Sequence, residues 1–225
     1  MLQLVDINKS YNKKVKVLTD ISYTFETGRL YPIVGGNGAG RTTLFECING
    51  DLTIDSGEVH TEEKSHIFLA SKQSVLPMYL TGYEYIKFLC DLEGVKTSPE
   101  EFIERASISE ETADMMICDY SFENKKKLQL AAFLVQKPYV IMFDEPFDYC
   151  TDEYIDAFIE VLNSMKEDHI ILVSTGLLDI AHKIAKDIVV LNKGELTDVP
   201  AETMKIPEIK KAVTDILEEA DNGII

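Results

Sequence analysis

The sequence contains no tryptophan, only four cysteines among its 225 residues, and no long hydrophobic run. The cysteines (Cys47, Cys90, Cys118 and Cys150) are far apart and form no CxxC pair, which argues against a zinc site or a disulfide framework and favours reduced thiols. No apolar stretch approaches the roughly 20 residues that a membrane-spanning helix needs. The first ten residues lack a basic segment followed by an apolar one, so no signal peptide is expected.

Basic residues are also scarce. The chain has 22 lysines and arginines against 39 aspartates and glutamates, a formal net charge of −17 at pH 7. A surface this acidic repels phosphate backbones and anionic lipid headgroups, which argues against a general nucleic-acid or membrane-surface binder. With 45 % hydrophobic residues, 12 glycines and 7 prolines, the composition is typical of a folded globular protein. These features together predict a soluble, acidic, intracellular protein.

Short apolar runs rich in β-branched residues recur along the chain, and helical patterns separate most of them. The runs lie at residues 30–34, 66–70, 139–143, 170–174 and 188–191. They are too short for helices and apolar at consecutive positions, which is typical of strands buried on both faces of a parallel sheet. The alternation predicts an α/β fold with a mostly parallel sheet and right-handed crossovers.

Two regions depart from this alternation. At the N-terminus, shorter alternating segments predict an antiparallel β patch; they are residues 2–7, 15–18 and 21–25. Residues 78–136 show helical periodicity and no buried run, which indicates a helical subdomain inserted into an α/β core. The chain is thus interpreted as a single domain, with residues 1–77 and 137–225 forming the core.

The strongest motif is GGNGAGRTT, residues 35–43, which follows a buried strand and opens a helical segment. Its spacing fits the P-loop pattern G-x-x-x-x-G-K-[ST], with Arg41 in the place of the lysine. Glycines let the backbone N–H groups point inward, and the helix N-terminus adds partial positive charge, which together suit a triphosphate. The residues predicted to bind the nucleotide are Gly35, Gly36, Asn37, Gly38, Ala39, Gly40, Arg41, Thr42 and Thr43.

Two other interpretations of this loop are less well supported. The Rossmann pattern G-x-G-x-x-G fails, because counting from Gly36 its last position is Arg41. A glycine-rich turn without a ligand is the remaining alternative. Arg41 keeps the charge of the expected lysine but replaces a slim ammonium group with a wide planar fork. The loop is therefore compatible with nucleotide binding and predicts inefficient turnover.

The segment YVIMFDEP, residues 139–146, is an apolar strand that ends in two carboxylates. Asp144 and the hydroxyl of Thr42 are the predicted Mg²⁺ ligands of a P-loop site. Glu145 is placed to polarise an attacking water as a general base. A carboxylate pair that merely ends a strand at the surface is the alternative, and the P-loop about a hundred residues earlier favours the catalytic interpretation.

The P-loop, the helical insert and the DEP strand end together resemble the ATP-binding subunit of ABC transporters over nearly the whole chain. Residues 51–59, DLTIDSGEV, are similar to the family's segment after the first helix. The resemblance implies ATP and Mg²⁺ as cofactors, and a head-to-tail homodimer or heterodimer of ATP-binding subunits. It further implies a membrane permease as partner, no nucleic acid, and a cytoplasmic position on the inner face of the cell membrane.

The resemblance assigns further residues. Tyr11 matches the aromatic residue that stacks on adenine, an ordinary exposed strand tyrosine being the alternative. The glutamine of the Mg²⁺ loop falls at Lys72 or, one step away, at Gln73, which is taken as the metal ligand with its register left open. Thr151 stands where the family usually carries an aspartate. The permease is expected to dock on the helical insert next to the Gln73 loop.

Two family motifs are altered. The signature L-S-G-G-Q reads YSFEN at residues 120–124, where Ser121 survives as a nucleotide contact. Phe122 blocks the close approach that glycine allows, and Glu123 is expected to direct negative charge at a phosphate. The lysines at positions 125–127 are expected to form a solvated helix face. Gly176 stands where the family has its switch histidine, so no side chain there can contact a γ-phosphate.

These losses fall on both the P-loop side and the signature side of the chain, so every composite ATP site that includes it would be impaired. The sequence therefore predicts an ABC-type ATPase subunit with slow hydrolysis, and Glu145 is the main argument against complete inactivity. A hydrolysis-deficient regulatory or structural partner of a permease is the alternative. Roles in translation or DNA repair fit poorly, because the tandem cassettes or long coiled coils usual for them are lacking.

Overall fold

The structure is a computed structural model that describes residues 1–12, 15–62, 66–73, 75–185, 187–200, 204 and 206–218. Its strands are β1 (Leu2–Tyr11), β2 (Val15–Phe25), β3 (Arg29–Val34), β4 (Ser56–Thr61), β5 (Ile67–Ala70), β6 (Val140–Asp144), β7 (Ile170–Thr175), β8 (Asp187–Asn192) and β9 (Glu195–Pro200). Its α-helices are α1 (Arg41–Asn49), α2 (Gly82–Glu93), α3 (Pro99–Arg105), α4 (Glu110–Ala113), α5 (Phe122–Gln136), α6 (Asp152–Met165), α7 (Leu178–Ile184) and α8 (Ile206–Glu218). Short 3-10 turns lie at Ile117–Asp119 and Lys166–Asp168.

The larger sheet has the strand order β5-β6-β7-β3-β8-β9 and is parallel except for β9, which pairs antiparallel with β8 at one edge. The predicted α/β fold is confirmed. Successive residues of a strand point to opposite faces, and both faces of this sheet are covered. In β6, for example, Val140 and Met142 pack into one apolar cluster, whereas Ile141 and Phe143 pack into the other.

The antiparallel patch predicted at the N-terminus is confirmed as a second sheet in the order β2-β1-β4. Two details differ from the sequence interpretation. Residues 15–18 and 21–25 belong to one strand, because Asp20 adopts a left-handed φ of 47° and lets the pairing with β1 shift register rather than stop. Strand β4 was not predicted, because its inward residues are only half-buried and leave no apolar run.

The region expected to be helical contains α2, α3, α4 and α5, and no strand is assigned among its residues 78–136, all of which the structure describes. Helix α2 begins with a capping box in which Thr81 and Glu84 satisfy each other's backbone N–H groups. Buried side chains from these helices, such as Ile86, Phe102 and Leu128, share one cluster with the sheet. Within the described part of the chain, no helix has the length and hydrophobicity to span a membrane.

Candidate functional site

The topology brings the predicted site residues to one edge of the large sheet. Strand β7 lies between β6 and β3 and is parallel to both. The P-loop leaves the carboxyl end of β3, Asp144 ends β6, and Thr175 ends β7. Because the carboxyl ends of parallel strands meet at the same edge, segments far apart in sequence face one another there.

The P-loop needs glycine at two positions for steric reasons. A Cβ on Gly35 would lie 2.6 Å from the carbonyl oxygen of Leu191. Gly40 has a φ of 101°, and a Cβ there would lie 2.7 Å from Cγ1 of Val17. Helix α1 begins directly after Gly40 and has no acidic residue in its first turn, so its positive end stays available to an anion. The loop, together with Tyr11 and Val17, lines a cavity of ≈ 270 Å³.

Thr42 and Asp144, two of the three predicted Mg²⁺ ligands, are in direct contact. The Thr42 hydroxyl donates to a carboxylate oxygen of Asp144 at 2.8 Å. The other oxygen of Asp144 accepts a 2.6 Å hydrogen bond from Ser174 at the end of β7. A hydroxyl and a carboxylate held side by side are the hard oxygen donors that Mg²⁺ prefers, so the residues present fit this ion.

Arg41 and Glu145 form an ion pair between the P-loop and the end of β6, and each side chain is only 10 % exposed. Nη2 of Arg41 donates to Oε1 of Glu145, while its Nη1 donates to the carbonyl of Gly35. Oε2 of Glu145 accepts from the backbone N–H of Gly176 at 3.3 Å. Both carboxylate oxygens of Glu145 are thus engaged. The guanidinium fork of Arg41 is folded back on the protein, over the loop that it belongs to.

The backbone of Glu145 is itself unusual, since its φ of 47° lies in the left-handed region. Residues other than glycine adopt this conformation rarely, and functional sites are among the places where it occurs. The N–H of Glu145 donates to the Ser174 hydroxyl at 2.9 Å. Ser174 therefore orients two consecutive carboxylates at once, holding Asp144 by its side chain and Glu145 by its backbone.

Tyr11, the candidate for adenine stacking, lies beside the P-loop. Its hydroxyl is 3.2 Å from the hydroxyl of Thr43, and 42 % of the side chain is exposed. An exposed ring at the rim of the cavity is in a suitable place to meet a base. Its role as a stacking residue remains a prediction.

Neither Gln73 nor Ser121 is among the described residues that line the P-loop cavity. Gln73 is exposed, and its carbonyl accepts a 2.6 Å hydrogen bond from Ser71. Lys72, the other possible position of the loop glutamine, pairs with Asp148 at 2.7 Å. Ser121 caps α5 by accepting from the N–H of Asn124 at 3.1 Å. The assignments of Gln73 to Mg²⁺ and of Ser121 to a nucleotide remain predictions.

The expectation that Glu123 directs its charge at a phosphate is wrong for this structure. Its carboxylate accepts from the backbone N–H and the hydroxyl of Thr151, at 3.0 and 2.9 Å, and pairs with Lys127 at 3.0 Å. Burial opposes its ionisation, but the hydrogen bonds from Thr151 and Lys127 lower the pKa of Glu123 on balance. The negative charge of Glu123 is therefore satisfied by Thr151 and Lys127 of the same chain.

Phe122 does remain at the surface, as expected of a group that blocks close approach. Its ring makes an edge-to-face contact with Tyr149, with ring centroids 6.0 Å apart. Tyr149 is 93 % exposed and has a left-handed φ of 58°. Together the two rings form an apolar projection at the start of α5, where the family signature has glycine.

The solvated face expected at positions 125–127 is wrong for Lys126, which is only 2 % exposed. Its ammonium group donates to the carbonyls of Ser71 and Lys72 at 3.1 and 3.2 Å. Burial lowers the pKa of Lys126 to about 8. Lys126 thereby connects helix α5 to the loop that contains Gln73. No local sequence pattern indicates this contact.

The roles of Ser174, Thr151 and Lys126 at the site were not predicted from the sequence. Ser174 had one available signal, a hydroxyl at the end of an otherwise apolar strand. Thr151 had another, since it precedes two acidic residues at a helix start, a pattern typical of an N-cap. Lys126 had no such signal, because a lysine inside a run of three lysines reads as solvent-exposed.

Comparison with known proteins identifies the family. The sequence profile of the family described as ABC transporter matches residues 18–148, more than half of the chain. The chain belongs to the ABC transporter family. Within it, the chain corresponds to the ATP-binding component.

Three curated relatives have names that describe them as ATP-binding. ATP-binding cassette sub-family A member 13 of Homo sapiens is 30 % identical over 180 residues, which are 69 % of this chain and 4 % of that protein. Nucleoside import ATP-binding protein NupA of Lactococcus lactis is 26 % identical, over 88 % of this chain and 43 % of that protein. The chain thus spans less than half of these two relatives. Glutamine transport ATP-binding protein GlnQ of Bacillus subtilis is also 26 % identical, over 94 % of this chain and 96 % of its own length.

Solved structures of ABC cassettes share the fold. The ATP-binding subunit of an ABC transporter superposes with a TM-score of 0.82 at 20 % identity, covering 95 % of this chain and 99 % of its own. A dimeric bacterial ABC transporter cassette superposes with a TM-score of 0.78 at 19 % identity, covering 91 % of this chain and all of its own. The chain therefore has the fold of ABC cassettes.

Proposed function

We propose that this chain binds ATP with Mg²⁺ at its P-loop and couples nucleotide-driven dimer closure to a membrane permease, with slow hydrolysis. We infer the slow hydrolysis from the Arg41–Glu145 ion pair. ATP binding is supported by the glycine loop at the start of α1 and by the cavity beside Tyr11. In a protein of net charge −17, the attraction for a nucleotide has to come from the loop N–H groups, the helix end, Arg41 and the metal.

The Mg²⁺ site in this proposal consists of Thr42 and Asp144, with Ser174 orienting the carboxylate. When bound, Mg²⁺ supplies neutralisation of the phosphate charge. Gln73 would join these ligands only after its loop moves, since its side chain is exposed and lies outside the described lining of the cavity. Lys126 fixes the backbone of that loop at Ser71 and Lys72, and thereby limits the movement.

Slow hydrolysis follows from the state of the proposed base. Glu145 can accept a proton from water only if a carboxylate oxygen is free and close to the water. Here one oxygen faces the guanidinium of Arg41 and the other faces the N–H of Gly176. The guanidinium group of Arg41 stabilises the ionised carboxylate and occupies one of its oxygens. Glu145 therefore has to be released from this ion pair before it can act as a base. Gly176 offers no side chain to assist in this step.

A steady-state ATPase assay of the full chain with ATP and Mg²⁺ tests this proposal, with Glu145→Gln as the blank. Nucleotide binding is measured in parallel with a fluorescent ATP analogue. We expect Mg²⁺-dependent binding together with a turnover far below several per second. A turnover of several per second that Glu145→Gln abolishes would overturn slow hydrolysis, and an absence of nucleotide binding would overturn the proposal as a whole.

A second candidate is a nucleotide-binding regulatory or structural partner of a permease that does not hydrolyse ATP. The exposed Phe122–Tyr149 pair favours it, because a bulky ring stands where glycine would admit a partner's phosphate. The variant Arg41→Lys/Phe122→Gly/Gly176→His separates the two candidates. A clear rise in turnover supports a slow enzyme, and turnover that stays at the Glu145→Gln blank supports the non-hydrolysing partner.

Partners and location are part of the same proposal. ABC ATP-binding subunits of transporters form dimers and work with permeases, so we infer a homodimer or heterodimer with another ABC subunit at the inner face of the cell membrane, on the cytoplasmic side. The relatives include proteins named for nucleoside import and glutamine transport, which supports a role in transport without selecting a substrate.

We also propose a single domain, with residues 78–136 as the helical subdomain and residues 1–77 and 137–225 as the core.

A further inference from the structure

Two adjacent cavities of ≈ 540 and ≈ 230 Å³ lie where strand β2 of the small sheet meets strand β9 of the large one. Both are lined by Tyr23 of β2, Arg29 and Tyr31 of β3, and Asp198 of β9. We call the two cavities together the tyrosine pocket. None of its described lining residues also lines the P-loop cavity, so the pocket is separate from the nucleotide site.

The wall of the tyrosine pocket contains aromatic rings in fixed positions. The ring of Tyr31 stands edge-on to Phe25 and Tyr23, with centroid distances of 4.9 and 6.5 Å. Tyr31 is only 4 % exposed, and its hydroxyl accepts a 2.7 Å hydrogen bond from the N–H of Glu26. The guanidinium carbon of Arg29 lies 5.4 Å from the centroid of the Tyr31 ring. One ring of this wall thus already binds a cation through its face.

A hydrogen bond between Tyr23 and Asp198 lies at the boundary of the two cavities, since both residues line both of them. The Tyr23 hydroxyl donates to Oδ1 of Asp198 at 2.5 Å. Burial and the neighbouring carboxylate raise the pKa of Tyr23, so its hydroxyl stays protonated and remains the donor. Asp198 is exposed, and within the described part of the chain no lysine or arginine pairs with it. Its second oxygen is therefore free to accept from a ligand.

The pocket is acidic. Its described lining residues include three carboxylates and one cationic group, which belong to Glu26, Asp187, Asp198 and Arg29. Arg29 is already engaged, because its Nη2 donates to Asp187 at 2.6 Å while its Nη1 lies 3.8 Å from Glu26. Three negative charges and one positive charge leave the pocket with a net charge of −2. A concave surface lined by one sign of charge focuses the field and attracts the opposite sign.

We propose that the tyrosine pocket binds a small organic cation that has an aliphatic body and two ammonium groups, such as an alkyl diamine. One ammonium group donates to the free oxygen of Asp198, and the other faces Glu26. The methylene chain packs on the ring of Tyr23. Charge-assisted hydrogen bonds provide the orientation, and the aromatic face attracts the adjacent ammonium group. The larger cavity has a volume within the range of small-molecule sites, roughly 300–1,000 Å³.

Other classes of ligand match the pocket less well. An anion would meet the net charge of −2, and the guanidinium of Arg29 is already paired with Asp187. A metal ion is disfavoured, because no group of three histidine, cysteine, aspartate or glutamate side chains among the described residues could hold one. A neutral aromatic compound would leave the carboxylates of Glu26 and Asp198 without a partner. A diammonium compound matches both the rings and the carboxylates.

Isothermal titration calorimetry of the full chain with cadaverine, a five-carbon diamine, tests this inference in a buffer without amines. The site variant is Asp198→Asn, and Glu195→Gln is the matched control. Glu195 is an exposed residue of the same strand, it is not among the described lining residues, and its substitution removes the same charge. We expect Asp198→Asn to weaken binding about tenfold and the control to change it much less. Equal effects of the two substitutions would show unspecific attraction to an acidic protein and overturn the inference.

Two further arms test the ring and the sign of the charge. Tyr23→Phe keeps the ring and should bind cadaverine within about threefold of the wild type, whereas Tyr23→Leu should bind about tenfold more weakly. Glutarate, the dicarboxylate of the same length, should not bind. Thermal unfolding of each variant checks the fold, and Asp198→Asn alone decides if Tyr23→Leu does not fold. An absence of cadaverine binding at millimolar concentration, or equal binding of glutarate, would overturn the inference.

Discussion

The guanidinium group of Arg41 and the carboxylate of Glu145 form a mostly buried ion pair across the P-loop, between residues 104 positions apart in sequence. The same guanidinium donates to the carbonyl of Gly35. The substitution in the P-loop and the preserved carboxylate of the DEP segment are therefore one structural feature. It connects the residue that should hold phosphate to the residue that should activate water.

Arg41→Lys is predicted to raise ATP turnover by about tenfold or more. General-base catalysis contributes about a hundredfold or more to the rate, and the ion pair with Arg41 keeps Glu145 from acting as the base. Lysine has one ammonium group and no fork, so it cannot hold Gly35 and Glu145 in the same way. Steady-state ATPase measurement checks this, with Arg41→Lys/Glu145→Gln as the blank. Turnover of Arg41→Lys equal to that of the wild type would mean that the pair does not limit the reaction.

Gly35→Ala is predicted to destabilise the fold by about 1–3 kcal/mol through overpacking, and to weaken ATP binding. The new Cβ would lie 2.6 Å from the carbonyl oxygen of Leu191 and 3.0 Å from Cβ of Ala39. Gly36→Ala is the matched control, since a Cβ there meets nothing within 4 Å. Thermal unfolding and nucleotide titration of the two variants provide the measurement. Equal behaviour of both would contradict the steric role of Gly35.

Lys126→Met is predicted to change how stability depends on pH. Burial lowers the pKa of Lys126 to about 8, below its usual value of 10.5. Between these values the unfolded chain binds more protons than the folded one, so this residue makes the wild type more stable as pH rises. The total gain is about 3 kcal/mol at most, from about 1.4 kcal/mol per pH unit.

Chemical denaturation of the wild type and Lys126→Met at pH 7.5 and 10, with Lys125→Met as the control, measures this difference. The free energy of unfolding of the wild type, relative to Lys126→Met, should increase with pH. A relative stability that stays constant or falls would show that Lys126 is not desolvated as the structure indicates.

Glu123→Ala is predicted to lower the free energy of unfolding by about 1.5–3 kcal/mol, the range for hydrogen bonds to a charged group. The substitution removes the acceptor for both the N–H and the hydroxyl of Thr151. A double-mutant cycle with Thr151→Val isolates the side-chain part of this interaction. Glu160→Ala, at an exposed position on α6, is the control. A loss no larger than that of the control would mean that Glu123 faces solvent instead.

The main architecture could be predicted because it depends on local patterns. Runs of consecutive apolar residues, such as 139–143, predicted strands covered on both faces, and glycine spacing predicted a tight loop before a helix. Strands β4 and β9 were not predicted, because each has a half-exposed face and contains no apolar run. Edge strands owe their place to pairing with a neighbour, and that neighbour is not visible in a local window.

The sequence by itself determined the fold class, the P-loop and the two carboxylates at the end of β6, because hydrophobic periodicity and glycine spacing act over a few residues. Only the tertiary structure decided the partners of the charged groups. Arg41 forms an ion pair with Glu145, Glu123 accepts a hydrogen bond from Thr151, and Lys126 donates to the carbonyl of Ser71. A buried charge takes the partner that burial places beside it, and in this fold those partners lie between 28 and 104 residues away.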